Sequence, residues 1–190
     1  MRKADGDPDP KLGPVIARAR RGDAQAFTAL LRYHDRALRG LVFRLIPDRD
    51  RAEDVLQDAY LKAFRALPGF RGESSLATWL YRIAYNACLD ERRRTRAAPK
   101  EATISVEDLR DPRAGGPDIA ETVVGRSAFV VALMSLPLEE RAAVLLVDGG
   151  GLSYADAAHV LGVPVGTVAS RLNRARPTLR RILESEGEAS

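Results

Sequence analysis

Apolar residues recur at helical spacing through the first half of the chain. Leu12, Val15, Ile16 and Ala19 predict a short amphipathic helix. Phe27, Leu30, Leu31, Leu38, Leu41, Val42 and Leu45 predict a long one that stops before Pro47. A third helix carries Ala52, Val55, Leu56, Ala59, Tyr60, Ala63, Phe64 and Leu67 on one face, and Pro68-Gly69 ends it. A fourth turns Leu76, Trp79, Leu80, Ile83, Ala84 and Ala87 inward and runs out into Glu91-Arg92-Arg93-Arg94. No stretch alternates at strand period. Residues 12–96 therefore predict an all-α module of four helices on one core.

The pattern breaks over residues 97–118, where Pro99, Pro112, Gly115, Gly116 and Pro117 sit among charges. That composition predicts a flexible linker. Helical spacing resumes near Ile119, continues through Met134, and restarts after Pro137 with Leu138, Ala142, Leu145 and Leu146. The stretch Leu152–Arg176 then predicts two short helices joined by a tight turn. Ser153 can cap the first, with Asp156 three residues on to reach back. Small Ala157 and Ala158 permit a second helix to approach closely, and Gly162 can take the left-handed conformation that ends a helix. Pro164 stands near the first turn of the next helix, where a missing N–H costs little. Leu161, Val163, Val168 and Leu172 face inward, which leaves Thr167, Ser170, Arg171, Asn173, Arg174 and Arg176 outward. Those side chains bond base edges and phosphates, so the pattern is that of a helix-turn-helix with a recognition helix. The fold class expected is all-α: two small helical domains joined by a flexible linker, the C-terminal one containing the helix-turn-helix. The divisions are a mobile N-terminus at 1–11, a helical domain at 12–96, the linker at 97–118, a second helical domain at 119–184 and an acidic tail at 185–190.

Charge sharpens this picture. Residues 12–96 hold 17 Lys/Arg against 10 Asp/Glu, a net +7, and residues 126–183 hold 7 against 4, a net +3. Between them residues 97–125 hold 3 against 6, a net −3. Two basic blocks flanking an acidic connector suit two modules that touch one polyanion. No apolar run approaches the length needed to cross a membrane, and the opening MRKADGDPDPKLG has no apolar core of a signal peptide. The expectation is a cytoplasmic protein with no membrane insertion. Cys88 is the one cysteine, and His34 and His159 lie far apart, so no metal-ligand set and no cofactor motif is recognisable. The glycines at 149–151 lack the strand before and the Lys-Ser/Thr after that a phosphate loop needs, and read as a loose turn between helices. His34 and Cys88 read as packing. No catalytic constellation stands out, so no enzyme is expected.

Three segments in order carry a resemblance: RAEDVLQDAYLKAFRAL at 51–67, FRGESSLATWLYRIAYNACLDERRR at 70–94, and LPLEERAAVLLVDGGGLSYADAAHVLGVPVGTVASRLNRAR at 136–176. Together they resemble a bacterial sigma factor of the small extracytoplasmic-function (ECF) type within the sigma-70 family. The resemblance implies a non-catalytic specificity subunit that directs core RNA polymerase to promoters and assists opening. Asp54, Gln57 and Asp58 would dock on the clamp coiled coil of the largest polymerase subunit. Phe70, Arg71 and Ser74 of the loop, with Arg82, Asn86, Asp90, Arg93 and Arg94 of the following helix, would bind the opened −10 element. Arg92 and Arg96 would add phosphate contacts, while Trp79 belongs with the core by its spacing. Thr167, Ser170, Arg171, Asn173, Arg174 and Arg176 would read the −35 element. The family is also held by anti-sigma factors.

Three positions depart from the family pattern. Ala169 stands where a basic residue is common, Ala157 replaces a larger aliphatic, and Pro177 falls within the last helix, where a kink or break is expected. Two other readings compete. A stand-alone helix-turn-helix regulator would bind duplex DNA as a dimer and have no need of the Asp54–Asp58 ridge. An adaptor that kept the fold alone would touch no DNA.

Overall fold

The computed structural model describes residues 12–97 and 123–187, and all their regular elements are helical. The expected N-terminal segment, nearly all of the linker and the last three residues lie outside the described residues. The first half contains α1 (Gly13–Arg20), α2 (Ala24–Leu45), α3 (Arg49–Ala66), a 3-10 turn at Leu67–Gly69, and α4 (Leu76–Ala97). The second contains α5 (Val123–Ser135), α6 (Leu138–Val144) passing into a π-helical turn at Leu145–Gly149, α7 (Tyr154–Leu161) and α8 (Val165–Gly187).

Local chemistry starts these helices where the periodicity does. Asp23 and Asp48 cap α2 and α3, each accepting a bond of 3.0 Å from the backbone N–H three residues on, at Ala26 and Arg51. Ser75 does the same for α4 through Thr78 N at 3.0 Å. The apolar faces then close. Leu30, Leu56 and Leu67 of the first half, and Leu133, Leu146 and Leu172 of the second, are among the most fully buried side chains. Each such leucine contributes roughly 1.5–3 kcal/mol by leaving water.

Two expectations need correction. Phe64 was placed on the inner face of α3 but is 37% exposed. It rests at the rim, with its ring centroid 5.0 Å from that of Phe27. Pro177 does not break α8, which runs unbroken from Val165 to Gly187. The buried stripe Val168, Leu172, Ala175 and Leu179 continues through the proline, so packing on both sides outweighs the lost hydrogen bond and ring clash, together about 3 kcal/mol.

The two halves pack on one another, with α4 against α7 and α2 against α5 and α6. Arg141 is central to this contact. Its guanidinium is buried and, among the described residues, meets no carboxylate within ion-pair distance. Nη2 donates to the carbonyls of Met134 at 2.8 Å and Leu136 at 3.0 Å, and Nη1 to the carbonyl of Arg44 at 3.2 Å. Met134 and Arg44 lie in the last turns of α5 and α2, where carbonyls are unpaired and the helix dipole is negative. Burial, with the Arg92 cation adding, holds the Arg141 pKa below its usual value. Nearby, a Cβ on Gly150 would lie 2.8 Å from the Leu146 carbonyl oxygen and 3.1 Å from the Tyr81 hydroxyl. Glycine there lets α4 come close to the turn before α7.

Candidate nucleic-acid and partner-binding surfaces

The helix-turn-helix forms as its sequence predicts. The Ser153 hydroxyl accepts from Asp156 N at 3.0 Å and donates to the Asp156 carboxylate, and Gly162 ends α7 at φ +66°. Ala157, Ala158 and Leu161 are buried beneath α8 together with Val168 and Leu172. On α8, Ser170 and Asn173 are exposed at the crest, and Thr167 is half-buried beside them. The cations flank that crest and are already oriented. Arg174 Nε lies 2.8 Å from Glu140 Oε1, and Arg176 grips Asp148 at 2.8 and 3.2 Å and reaches the Tyr154 hydroxyl at 3.3 Å. The bond to Asp148, with that to Tyr154 after it, raises the Arg176 pKa. Arg171 differs from the expectation of an open phosphate contact. It is half-buried, and its Nη1 is buried without a hydrogen-bond partner. Its charge is felt at Tyr85 on α4, so it faces the contact between the halves.

The stretch from Phe70 through α4 is sorted more sharply than its sequence suggests. Phe70, expected to meet DNA, is instead 9% exposed and packs its ring on Trp79 with centroids 5.3 Å apart. Trp79 is half-buried beside the core, as its spacing predicts. Arg71 is open to solvent, with only Glu73 at 3.9 Å, and Ser74 bonds the neighbouring Ser75 carbonyl at 3.3 Å. Asn86 projects into solvent. Arg82 is exposed but bonds His159 Nε2 on α7 at 3.3 Å, and Arg92 pairs with Glu139 on α6 at 3.2 Å. Arg93 pairs with Asp90 at 3.1 Å and Arg94 with Glu91 at 2.8 Å, both a turn apart on α4. Tyr81 and Tyr85, missed in the sequence because they lie beside the inner stripe, are buried where α4 meets the second half.

On α3, Asp54 and Gln57 are exposed, and Asp58 lies one turn from Asp54 on the same face. Leu61, 55% exposed, continues that face. Asp58 pairs with Lys62 at 2.8 Å, and Lys62 reaches across to Asp90 of α4 at 3.2 Å.

Cys88 is buried and its pKa is pushed up to about 12, which leaves it an inert thiol at neutral pH. His34 is half-buried against Tyr33, and burial lowers its pKa. Among the described residues no group of three or more His, Cys, Asp or Glu could hold a metal ion. Nor is any helix among them long and apolar enough to cross a membrane.

These surfaces define a two-part helical protein with a helix-turn-helix in its second half and a separate basic helix in its first. Residues 30–98 match the family model for sigma-70 region 2, and residues 126–179 match that for sigma-70 region 4. The chain is 45% identical over 162 residues to the ECF RNA polymerase sigma factor SigM of Mycobacterium tuberculosis, covering 85% of this chain and 79% of that protein. It is 36% identical over 183 residues to the RNA polymerase sigma-H factor of Pseudomonas aeruginosa, covering 90% and 92%. Among solved structures it is similar to the sigma factor RpoE of Bartonella quintana in complex with the anti-sigma factor NepR. There the TM-score is 0.68 and the identity 28%, over 85% of this chain and 98% of that one. It is also similar to CnrH in complex with the cytosolic domain of CnrY, with TM-score 0.65 and identity 30% over 90% and 96%. The chain belongs to the ECF sigma factors of the sigma-70 family.

Proposed function

We propose that this protein is a dissociable specificity subunit: it docks on core RNA polymerase through α3, reads duplex DNA at the −35 element with α8, and holds the opened −10 element with the loop before α4 and α4 itself. It does no bond-breaking chemistry, and it works in the cytoplasm. The observation that carries this reading is the pairing, in one chain, of a solvent-open acidic ridge on α3 with two basic helices that differ in construction. Asp54, Gln57 and Asp58 offer a polar patch that steers a basic partner and fixes its register. On α8 the crest of Ser170 and Asn173 suits base edges, with Arg174 and Arg176 on its flanks able to swing from carboxylates to base or phosphate. Asn86, Arg71, Arg93 and Arg94 suit unstacked bases and their backbone. A stand-alone duplex-binding regulator would leave the α3 ridge unused. The relatives solved with anti-sigma factors support a further partner of that kind.

Co-purification with core polymerase tests the docking. Asp54→Lys together with Asp58→Lys should abolish core binding while far-ultraviolet circular dichroism stays helical. Core binding unchanged in the double variant would remove the α3 ridge from the scheme.

A further inference from the structure

Lys62 is the one side chain among the described residues that joins the candidate docking ridge to the candidate single-strand surface. Its ammonium stands 2.8 Å from Asp58 on α3 and 3.2 Å from Asp90 on α4. Asp90 uses its other oxygen to hold Arg93 at 3.1 Å. Four alternating charges, Asp58, Lys62, Asp90 and Arg93, thus run from one surface to the other. All four are partly exposed, between 42% and 74%, so each pair is weak enough to exchange partners. The bond to Asp58 is the shorter of the two, and Asp58 before Asp90 raises the Lys62 pKa.

We propose that Lys62 is a positioning residue that transmits partner docking on α3 to the DNA-facing end of α4; this rests on the docking reading given above. A basic surface that engages Asp58 competes with Lys62 for that carboxylate and repels its ammonium. Lys62 then pairs with Asp90 alone. Asp90, so neutralised, holds Arg93 less tightly, and the Arg93 guanidinium turns to a phosphate. Docking therefore raises affinity for single-stranded DNA, and by reciprocity single-stranded DNA raises affinity for the partner by the same factor. Exposed pairs of this kind support a coupling between about 1.5-fold and fivefold.

The test uses the full chain and a fluorescent 20-nucleotide dT oligonucleotide as the probe of backbone contact. Its dissociation constant is measured for the chain alone and for the chain bound to core polymerase. The ratio of the two constants is then compared between the wild type, Lys62→Met and Lys62→Arg. The polymerase's own DNA contacts are common to every variant and cancel in that comparison. The relay predicts that Lys62→Met still binds core but shows a ratio about 1.5-fold to fivefold smaller than wild type, and that Lys62→Arg, which can span both carboxylates, restores it. A merely structural lysine would shift both constants together and leave the ratio alone. An unchanged ratio in Lys62→Met with docking intact overturns the relay while sparing the docking reading. Failure of the wild type to bind core overturns both.

Discussion

Helices α4 and α8 are almost equal in length, 22 and 23 residues, and each buries one stripe while carrying a cationic run, yet they are prepared for different tasks. α8 sits on a capped, glycine-terminated helix and keeps its crest clear. Its arginines at 174 and 176 are held in place by carboxylates of its own half, Glu140 and Asp148. If α8 meets duplex DNA as proposed, the helix beneath is already ordered and only these arginines must exchange carboxylates for base or phosphate. α4 shares its surface among more uses. Arg82 and Arg92 reach into the second half, Asp90 ties it to α3, and Phe70 and Trp79 are spent on packing. What remains exposed is Asn86, Arg71 in the loop before α4, and Arg93 and Arg94 on ion pairs within α4, a set that under the proposed function would meet a strand whose bases are already free. The two helices differ in where their cations find partners: those of α8 pair within their own half, whereas α4 divides its own between itself and the second half.

The largest expected effect breaks α8. Leu172 is fully buried, and Leu172→Ala should cost about 2–5 kcal/mol. Urea denaturation followed by circular dichroism should show that loss, and duplex binding should fall with it. A milder break separates the two helices. Arg141→Met leaves the carbonyls of Met134, Leu136 and Arg44 without their donor, at a cost on the order of 3 kcal/mol. Small-angle X-ray scattering should then report a larger radius of gyration, because the second half loses its tie to the Arg44 carbonyl of α2. Retained stability and dimensions would show that the contact between the halves is held elsewhere.

The smallest effect concerns protons and tests the first half alone. Burial lowers the His34 pKa below its usual 6.5, so the folded state disfavours the charged form. Stability from this residue is complete above about pH 6.5 and declines as pH falls below that value toward the depressed folded pKa. Melting temperature against pH should show this decline, and His34→Gln should flatten it.

Much of the fold was legible because helical periodicity is a local signal. The ends of α2, α3 and α7, the αL turn at Gly162 and the inward set Leu161, Val168 and Leu172 all follow from residues within a few turns. What escaped was decided at long range or by competition. Arg141 and its acceptor Arg44 lie 97 residues apart, and no periodicity relates them. Pro177 obeys a local rule against helices that the packing of Leu172 and Leu179 overrides. In the candidate site, Ser170, Asn173 and Asn86 lie open as expected. Phe70 did not, because a ring in a short loop beside Trp79 gains more from burial than from waiting in water. Arg171 is half-buried because its face looks free in the sequence until the other half of the chain is placed against it, while Arg82 is exposed as expected and its bond to His159 is a long-range contact that periodicity does not show.

In the proposed division of labour α8 reads duplex DNA and α4 holds an opened strand. Run-off transcription with core polymerase tests it, on one promoter supplied both as duplex and pre-melted across the −10 element. Arg174→Ala should lose roughly 1–3 kcal/mol of discrimination at particular −35 positions on both templates, since melting elsewhere does not replace a duplex contact. Asn86→Ala should be impaired on the duplex template and wholly or partly rescued on the pre-melted one, with the extent depending on the base exposed. The same base-independent loss for both variants on both templates would contradict the division of labour between the two helices.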